Sequence, residues 1–498
     1  MNLSWLIKSE SYKRGMALSV IFNMAAKFLL FLLTICIARL FGNNIKTDIY
    51  FFIYGSMVLL SGSVNAVDTA VIIPESMRLR QSNGINAATA FLNYFLRLYF
   101  LAGIFFVTLI FFFGTAIFAW FSKFAAADIE LYRNYFVIGS FYFLFQLLIN
   151  YMNTILVSLK FFTVPMIISG INSCVVVAGT LLLYKQYDME SVLISGLIAY
   201  CINLGVLIYI LKKIAGFNFM VSRGGVEKNI WNKLFFSELG QFATLASSYF
   251  PLYILSGFNS GIISAMNYGK NIADMPNTLL TAQVANVSGI KMNEQVAQNN
   301  FNSLNEIFLR SAKMLVFFLV PTGFFMFVFA QPLVELFYAS RNFTLDAVKD
   351  AAKFLQLLAI TIFSIGVNAM VTRIFIAMQI IKQALFYKII MNGLLIVAIW
   401  LFTKFYGAYG FAYGVIFMNT INFFGMYFIC RNFFKSVRYS LIIRYTAIIV
   451  AINLPLAFLV YYFINAANIF YLYKLIIGGI AYLVIMLIAN RFKKIAIV

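Results

Sequence analysis

Residues 261–280 read GIISAMNYGKNIADMPNTLL, an apolar stretch that carries Lys270, Asp274 and Pro276 near its middle. A helix crosses a bilayer with about 20 such residues. The composition of the whole chain decides whether this stretch lies in a membrane. Hydrophobic residues make up 63% of the 498 positions and charged residues 11%, whereas soluble domains carry about 25% charged residues. The sequence therefore predicts an all-α integral membrane protein.

The hydrophobic pattern predicts about fourteen membrane-spanning helices. They centre on residues 16–41, 48–73, 88–118, 133–158, 162–184, 190–211, 234–257, 261–287, 312–335, 352–377, 381–403, 408–430, 442–464 and 469–490. A polar start precedes the first span, and no small-residue cleavage site follows it. We therefore expect this span to be a retained helix and not a signal peptide.

Basic residues orient the predicted spans. With the amino terminus in the cytoplasm and alternating spans, 23 of the 37 Lys and Arg residues fall in inner segments and 10 in outer loops. Cytoplasmic loops carry such an excess, so both termini are predicted to be cytoplasmic. The net charge of +21 then follows from loops that face anionic lipid, and nucleic acid is not expected as a partner.

Weak internal symmetry predicts two halves. Residue pairs about 214 to 220 positions apart match: Tyr54-Gly55 with Tyr268-Gly269, Met77 with Met292, Met152 and Thr154 with Met370 and Thr372, and Asn172 with Asn392. Two six-helix lobes, 1–215 and 216–435, would be parallel repeats about an axis along the membrane normal, followed by a helix pair at 436–498. Transporters with this plan bind substrate between the halves.

Charged residues inside predicted spans are candidates for function, because a charge at mid-bilayer costs about 2.5–3.5 kcal/mol on insertion scales. The candidates are Lys27, Asp68, Arg97, Glu238, Lys270, Asp274 and Arg373. Lys270 and Asp274 are four residues apart on one helix face and can pair. Such a pair either lines a wet cavity or only neutralises itself and braces the helix.

Alternative roles are open for three of the other charged residues as well. Arg97 could snorkel to the cytoplasmic surface, Arg373 could be an interfacial anchor, and Glu238 could cap its helix. Lys27 is harder to explain in this way, because it lies about eleven residues, or roughly 16 Å, into its span.

Proline residues in two spans predict bends. Pro276 removes a helical hydrogen bond and is expected to bend the eighth span. Pro165 is expected to act in the same way in the fifth.

Several residue types and motifs are missing from the chain. It has no His, its four Cys are scattered through apolar runs, and no Walker motif is present. We therefore predict no metal, no cofactor other than a coupling ion (Na⁺ or H⁺), and no enzymatic activity. A membrane glycosyltransferase would need a sizeable external loop with catalytic side chains, and a structural scaffold would not need charges at mid-span.

Four segments resemble one family of transporters. They are ARLFGNNIKTDIYFF at 38–52, ILVSLKFFTVPMIISGIN at 155–172, GIISAMNYGKNIADMP at 261–276 and RIFIA at 373–377. These motifs are similar to those of the MurJ-type lipid II flippases, within the multidrug/oligosaccharidyl-lipid/polysaccharide exporter superfamily. The resemblance implies a monomeric flippase in the bacterial inner membrane. It would carry an undecaprenyl-pyrophosphate-linked saccharide from the inner to the outer leaflet by alternating access, in peptidoglycan or polysaccharide biosynthesis.

The resemblance also implies roles for individual residues. A family cavity arginine falls on Lys27 and another on Asn271, next to Lys270. We expect the pyrophosphate to be held by Lys27, Lys270, Arg373, Ser264 and Asn271, and gating or ion coupling to involve Asp48, Asp68, Asp274 and Glu238. Further family basic residues fall on Leu33 and Ser61 and are absent. The alternatives are an O-antigen, capsule or exopolysaccharide repeat-unit flippase, and a cation-coupled multidrug exporter of the same superfamily.

Overall fold

The computed structural model describes residues 12–159, 161, 163–221, 228–378, 380–465 and 470–493. The described residues form helices and connections without a strand. They divide into two compact units, Met1–Ile263 and Ser264–Val498. The terminal segments 1–11 and 494–498, and residues 222–227 of the longest connector, lie outside the described residues. The predicted division at 215 and 435 rests on internal symmetry and stays a prediction.

The first unit contains nine α-helices among its described residues. They are α1 (Tyr12–Phe41), α2 (Ile45–Val67), α3 (Ile73–Ser82), α4 (Gly84–Phe121), α5 (Ala126–Leu131), α6 (Arg133–Ser158), α7 (Val164–Tyr187), α8 (Glu190–Tyr209) and α9 (Lys228–Leu255). A π-helical segment, Asp68–Ile72, joins α2 to α3, and a second, Ile210–Ile214, extends α8.

Ten further α-helices follow among the described residues, and apart from Ile262 and Ile263 they lie in the second unit. They are α10 (Ile262–Pro276), α11 (Ala282–Ala297), α12 (Phe301–Val328), α13 (Ala330–Tyr338), α14 (Leu345–Ala359), α15 (Ile362–Ala377), α16 (Ile381–Tyr406), α17 (Gly410–Phe433), α18 (Ser440–Val460) and α19 (Tyr471–Lys493). The π-helical segment Asn277–Thr281 follows Pro276, and Tyr461–Asn465 extends α18.

Nine helices of the described chain are long and apolar enough to cross a membrane, and a tenth is obtained if α14 and α15, which meet at 45°, form one span. The protein is thus a multi-pass, all-α membrane protein, as predicted. One of the nine, Gln383–Phe433, contains both α16 and α17. The predicted seventh, eighth and fourteenth spans coincide with α9, α10–α11 and α19, which do not meet the criterion. The count of fourteen therefore stays a prediction.

Side-chain caps explain where several helices begin. The Asn44 side chain accepts hydrogen bonds from the Lys46 and Thr47 amides. In return, the Thr47 hydroxyl oxygen accepts a hydrogen bond from the Asn44 amide. This reciprocal capping box satisfies amide groups that would otherwise be left without helical partners. Asn300 and Thr344 cap α12 and α14 by accepting hydrogen bonds from amides three residues later.

Helix α6 is central to the first unit and contacts α2, α4 and α8. A Cβ on Gly139 of α6 would lie 2.2 Å from Cγ2 of Ile53 on α2. On the other side of α6, the Tyr142 hydroxyl donates a 2.8 Å hydrogen bond to the carbonyl of Leu193 on α8. A Cβ on Gly196 of α8 would collide with that hydroxyl. Small residues let membrane helices approach closely, and here they bring α2 and α8 against α6.

Helix α12 has the same position in the second unit, with contacts to α11, α14, α15 and α18. Its side chains Phe308, Leu315 and Leu319 are buried at helical spacing, which forms the apolar stripe of the core. A Cβ on Gly323 would lie 2.8 Å from the Ala359 carbonyl oxygen. This glycine therefore allows α12 to cross close to the end of α14.

Candidate functional site

The predicted basic residue of the first unit, Lys27, is exposed on α1. Its neighbours Met24 and Phe28 are exposed too, whereas Ala26 is buried. Helix α1 packs on α7, so the first unit does not cover the Lys27 face of α1. The ammonium group is therefore available to something other than the side chains of this unit.

Asp48 is buried in the first turn of α2 and accepts a 2.6 Å hydrogen bond from the Gly261 amide. Gly261 has φ +94, a conformation that glycine adopts without steric cost. Asp48 therefore fixes the connection between α9 and α10 to the start of α2. Its predicted role in gating or ion coupling stays a prediction.

Asp68 begins the π-helical segment after α2 and is 1% exposed. The hydroxyl of Tyr99 on α4 donates a 2.5 Å hydrogen bond to its carboxylate. Glu238 on α9 lies close enough for the two carboxylates to interact electrostatically. The structure thus brings together two predicted acids, and it adds Tyr99, which sequence reasoning missed because 31 residues separate it from Asp68.

Pro165 lies in the first turn of α7. A first-turn amide has no helical acceptor, so a proline there removes no hydrogen bond. Pro165 begins the helix, and the predicted bend within the fifth span at this residue is wrong. Pro276, in contrast, is the last residue of α10, directly before the π-helical segment Asn277–Thr281. The predicted bend at Pro276 stays a prediction.

The Lys270–Asp274 pair forms as predicted on α10 of the second unit. The ammonium lies 2.5 Å from the carboxylate, and the two side chains are 47% and 43% exposed. In water, a pair with this spacing contributes only about 0.3–0.5 kcal/mol. Whether the pair lines a wet cavity or braces the helix stays a prediction. Both groups can reach another ligand.

Two further predicted residues of α10 differ in exposure. Ser264 is fully buried, and Asn271 is partly exposed. The Ser264 hydroxyl therefore does not reach the surface that carries Lys270. The contact between Ser264 and substrate stays a prediction, which the burial of this side chain does not support.

Arg373 on α15 is held by α11. Its Nη2 donates a 2.5 Å hydrogen bond to Oδ1 of Asn286. One turn further along α11, a Cβ on Gly289 would lie 3.0 Å from Cδ of Arg373, so the glycine leaves room for the arginine stem. No pattern in the sequence links Asn286 to Arg373, which is 87 residues away.

The chain matches the family model described as lipid II flippase MurJ over residues 37–480. It belongs to the MurJ lipid II flippase family. The MurJ match covers nearly the whole described chain and confirms the predicted resemblance.

Solved structures share the fold of this MurJ family member. A lipid II flippase MurJ in an inward closed conformation has 19% identity and a TM-score of 0.77, with 96% of this chain and 98% of that chain covered. Two multidrug resistance MATE family transporters of the MOP superfamily, inward-facing and outward-facing, have 13% identity. Their TM-scores are 0.66 and 0.63, with 86% and 89% of this chain and 96% and 99% of theirs covered. Among curated proteins, no relative matches the chain significantly.

Proposed function

We propose that this protein moves lipid II, a polyprenyl-pyrophosphate-linked saccharide, from the inner to the outer leaflet of the bacterial inner membrane by alternating access. The observation that carries the proposal is the MurJ family match over residues 37–480. The protein would act as a transporter and not as an enzyme. It would work as a monomer in contact with membrane lipids, with both termini cytoplasmic.

The described side chains fit a phosphorylated cargo. Lys27, Lys270 and Arg373 are exposed or partly exposed within apolar helices, and cations in such positions serve anionic ligands. Arg373 offers a planar fork to phosphate oxygens, and the lysines add point charges. Asn271 would contribute its amide. In this proposal these residues hold the pyrophosphate.

Acidic residues would couple the movement to an energy source. Asp274 already shares the Lys270 ammonium, so a bound pyrophosphate competes with a carboxylate and can be released again. Asp48, Asp68 and Glu238 lie in the first unit, where a change of protonation or a bound Na⁺ would alter helix contacts. The driving force in this proposal is an ion gradient or the membrane potential.

The direct test is translocation of fluorescent lipid II by the purified protein in proteoliposomes. We expect wild-type protein to expose the lipid to an outer-leaflet quencher. We expect Lys270→Ala/Arg373→Ala to reduce the rate at least about 100-fold, since two hydrogen bonds between charged groups are lost. Lys349→Ala, at an exposed lysine paired with Asp346, is the matched control. Efflux of cationic drugs without lipid translocation by the wild-type protein would refute the proposal.

Asn286 should matter through Arg373. We expect Asn286→Ala to lower lipid II translocation about tenfold, because the guanidinium loses the acceptor that orients it. Asn302→Ala, at an exposed asparagine in the first turn of α12, is the control. Thermal unfolding of both variants should match the wild type to within a few degrees. Equal translocation by the two variants would contradict a positioning role for Asn286.

A further inference from the structure

A buried acid lies where several helices of the first unit converge. Asp68 opens the π-helical segment Asp68–Ile72 and is 1% exposed. Single π-helical turns are frequent at functional sites. This segment packs against α6 and α9, and the Tyr99 hydroxyl of α4 donates a 2.5 Å hydrogen bond to the Asp68 carboxylate. The Asp68 side chain therefore lies at the junction of α2, α4 and α9.

The Tyr99 ring has a defined position at this junction. It lies edge-on to the ring of Tyr151 on α6, with 5.0 Å between the ring centroids. Tyr151 is fully buried, and its own hydroxyl donates a 2.8 Å hydrogen bond to the Leu92 carbonyl on α4. The Tyr151 hydroxyl is thus occupied, and the hydroxyl that meets the Asp68 carboxylate belongs to Tyr99.

Helix α9 brings a second acid to the junction. Glu238 interacts electrostatically with both Asp68 and Tyr99, and its side chain is partly exposed. Neither Asp68 nor Glu238 forms an ion pair with a side chain that the structure describes. On α3, which follows the π-helical segment, Glu75 and Arg78 are paired with each other. If both acids of the junction were ionised, they would repel each other.

We propose that Asp68, Tyr99 and Glu238 form a proton-dependent switch, the Asp68 switch, that holds α9 against α2. A carboxylate as deeply buried as Asp68 loses its hydration, and a bound proton removes both that cost and the repulsion from Glu238. With the proton bound, α9 packs on α2 and on the π-helical segment. When the proton leaves, two negative charges separate α9 from this segment. The Asp68 switch closes at low pH and opens as the pH rises.

A proton suits this junction better than a metal cation does. Hard metal cations need several oxygen ligands at once, whereas a proton needs a single carboxyl group. Among the residues that the structure describes, no group of three or more His, Cys, Asp or Glu is placed to hold a metal ion. The Asp68 switch deepens the coupling role that the proposed function gives these acids, and only its use in transport rests on that function.

Trp231 reports the position of α9. It lies about two helical turns before Glu238. Its ring centroid is 6.4 Å from that of Tyr94 and 5.9 Å from that of Phe95, both on α4. Separation of α9 from its neighbours would end both contacts and change the emission of this ring. The chain has three other tryptophans, which are replaced by Phe in the reporter protein: Trp5, Trp120 and Trp400.

The test is the Trp231 emission of the full-length reporter protein in detergent, without substrate, titrated over about pH 5 to 9, the range in which buried carboxyl groups ionise. We expect one transition. Asp68→Asn should abolish it, because the amide does not ionise, and Glu238→Gln should abolish it because the repelling charge is gone. Tyr99→Phe should raise the midpoint by about one pH unit, since the lost hydrogen bond favours the ionised form of Asp68.

Glu130→Gln, at an exposed acid of α5, is the control and should titrate as the reporter protein does. Hydrogen exchange of the unmodified wild type gives a second readout. Corrected for the intrinsic effect of pH, protection of the α9 amides should fall across the same transition. A transition that survives unchanged in Asp68→Asn would overturn the Asp68 switch, and so would the absence of a transition in both readouts. Translocation of lipid II is measured separately, and its absence in the wild type refutes the proposed function alone.

Discussion

Replacement of Lys27 by alanine is expected to abolish growth of a strain that depends on this protein as its lipid II flippase. Lys27 is exposed on α1, and the first unit leaves its ammonium uncovered. In the proposed function this charge meets the pyrophosphate. Loss of one hydrogen bond between charged groups costs about 1.5–3 kcal/mol, so the translocation rate should fall about 10- to 100-fold.

The measurement is complementation after depletion of the resident flippase, with membrane levels of each variant matched by immunoblot. Lys27→Arg should support growth, since it keeps the charge and adds a bidentate fork for phosphate. Lys185→Ala removes an exposed lysine from the last turn of α7 and should also support growth. Normal growth with Lys27→Ala would rule out a role for this charge in translocation.

Gly269→Val is expected to prevent folding of the second unit. A Cβ at Gly269 on α10 would lie 2.5 Å from the Ala351 carbonyl oxygen and 2.8 Å from the Leu355 amide nitrogen, both on α14. These are backbone atoms, so the clash cannot be relieved by a rotamer change, and α10 would have to separate from α14. Overpacking of this kind costs about 3 kcal/mol.

The readout is the yield of a single, monodisperse peak in size-exclusion chromatography after membrane extraction. Gly425→Val makes the same substitution on α17, where nothing lies within 4 Å of the added Cβ, and should give the wild-type peak. A normal peak for Gly269→Val would show that α10 and α14 are not in close contact.

Gly269 also shows that residues matched by the internal sequence repeat can have different surroundings. Tyr54-Gly55 and Tyr268-Gly269 match as repeats, and the match suggests equal roles. In the structure, a Cβ on Gly55 would meet only the Leu252 side-chain tip at 3.2 Å, which can move. The same dipeptide is therefore tolerant of substitution in the first unit and intolerant in the second, because the neighbour is a side chain in one case and backbone in the other.

Local patterns predicted the features that depend on a few helical turns. The membrane class, the positions of most apolar helices and the Lys270–Asp274 pair all follow from residues close together in the chain. The error at Pro165 has a local cause too. The prediction treated Pro165 as a residue of the helix interior, whereas α7 begins at Val164 and the proline lies in its first turn. The effect of a proline depends on its distance from the helix start.

The amino-acid sequence by itself determined that the chain is an all-helical membrane protein of the MurJ type, with charges of both signs inside its apolar segments. Only the tertiary structure decided the partners of these charges: Tyr99 for Asp68, Asn286 for Arg373, and the Gly261 amide for Asp48. The transfer of a segment into a bilayer depends on the hydrophobicity of that segment alone, so it can be predicted from local composition. A hydrogen bond between helices depends on their packing, which residues far apart in the chain set jointly.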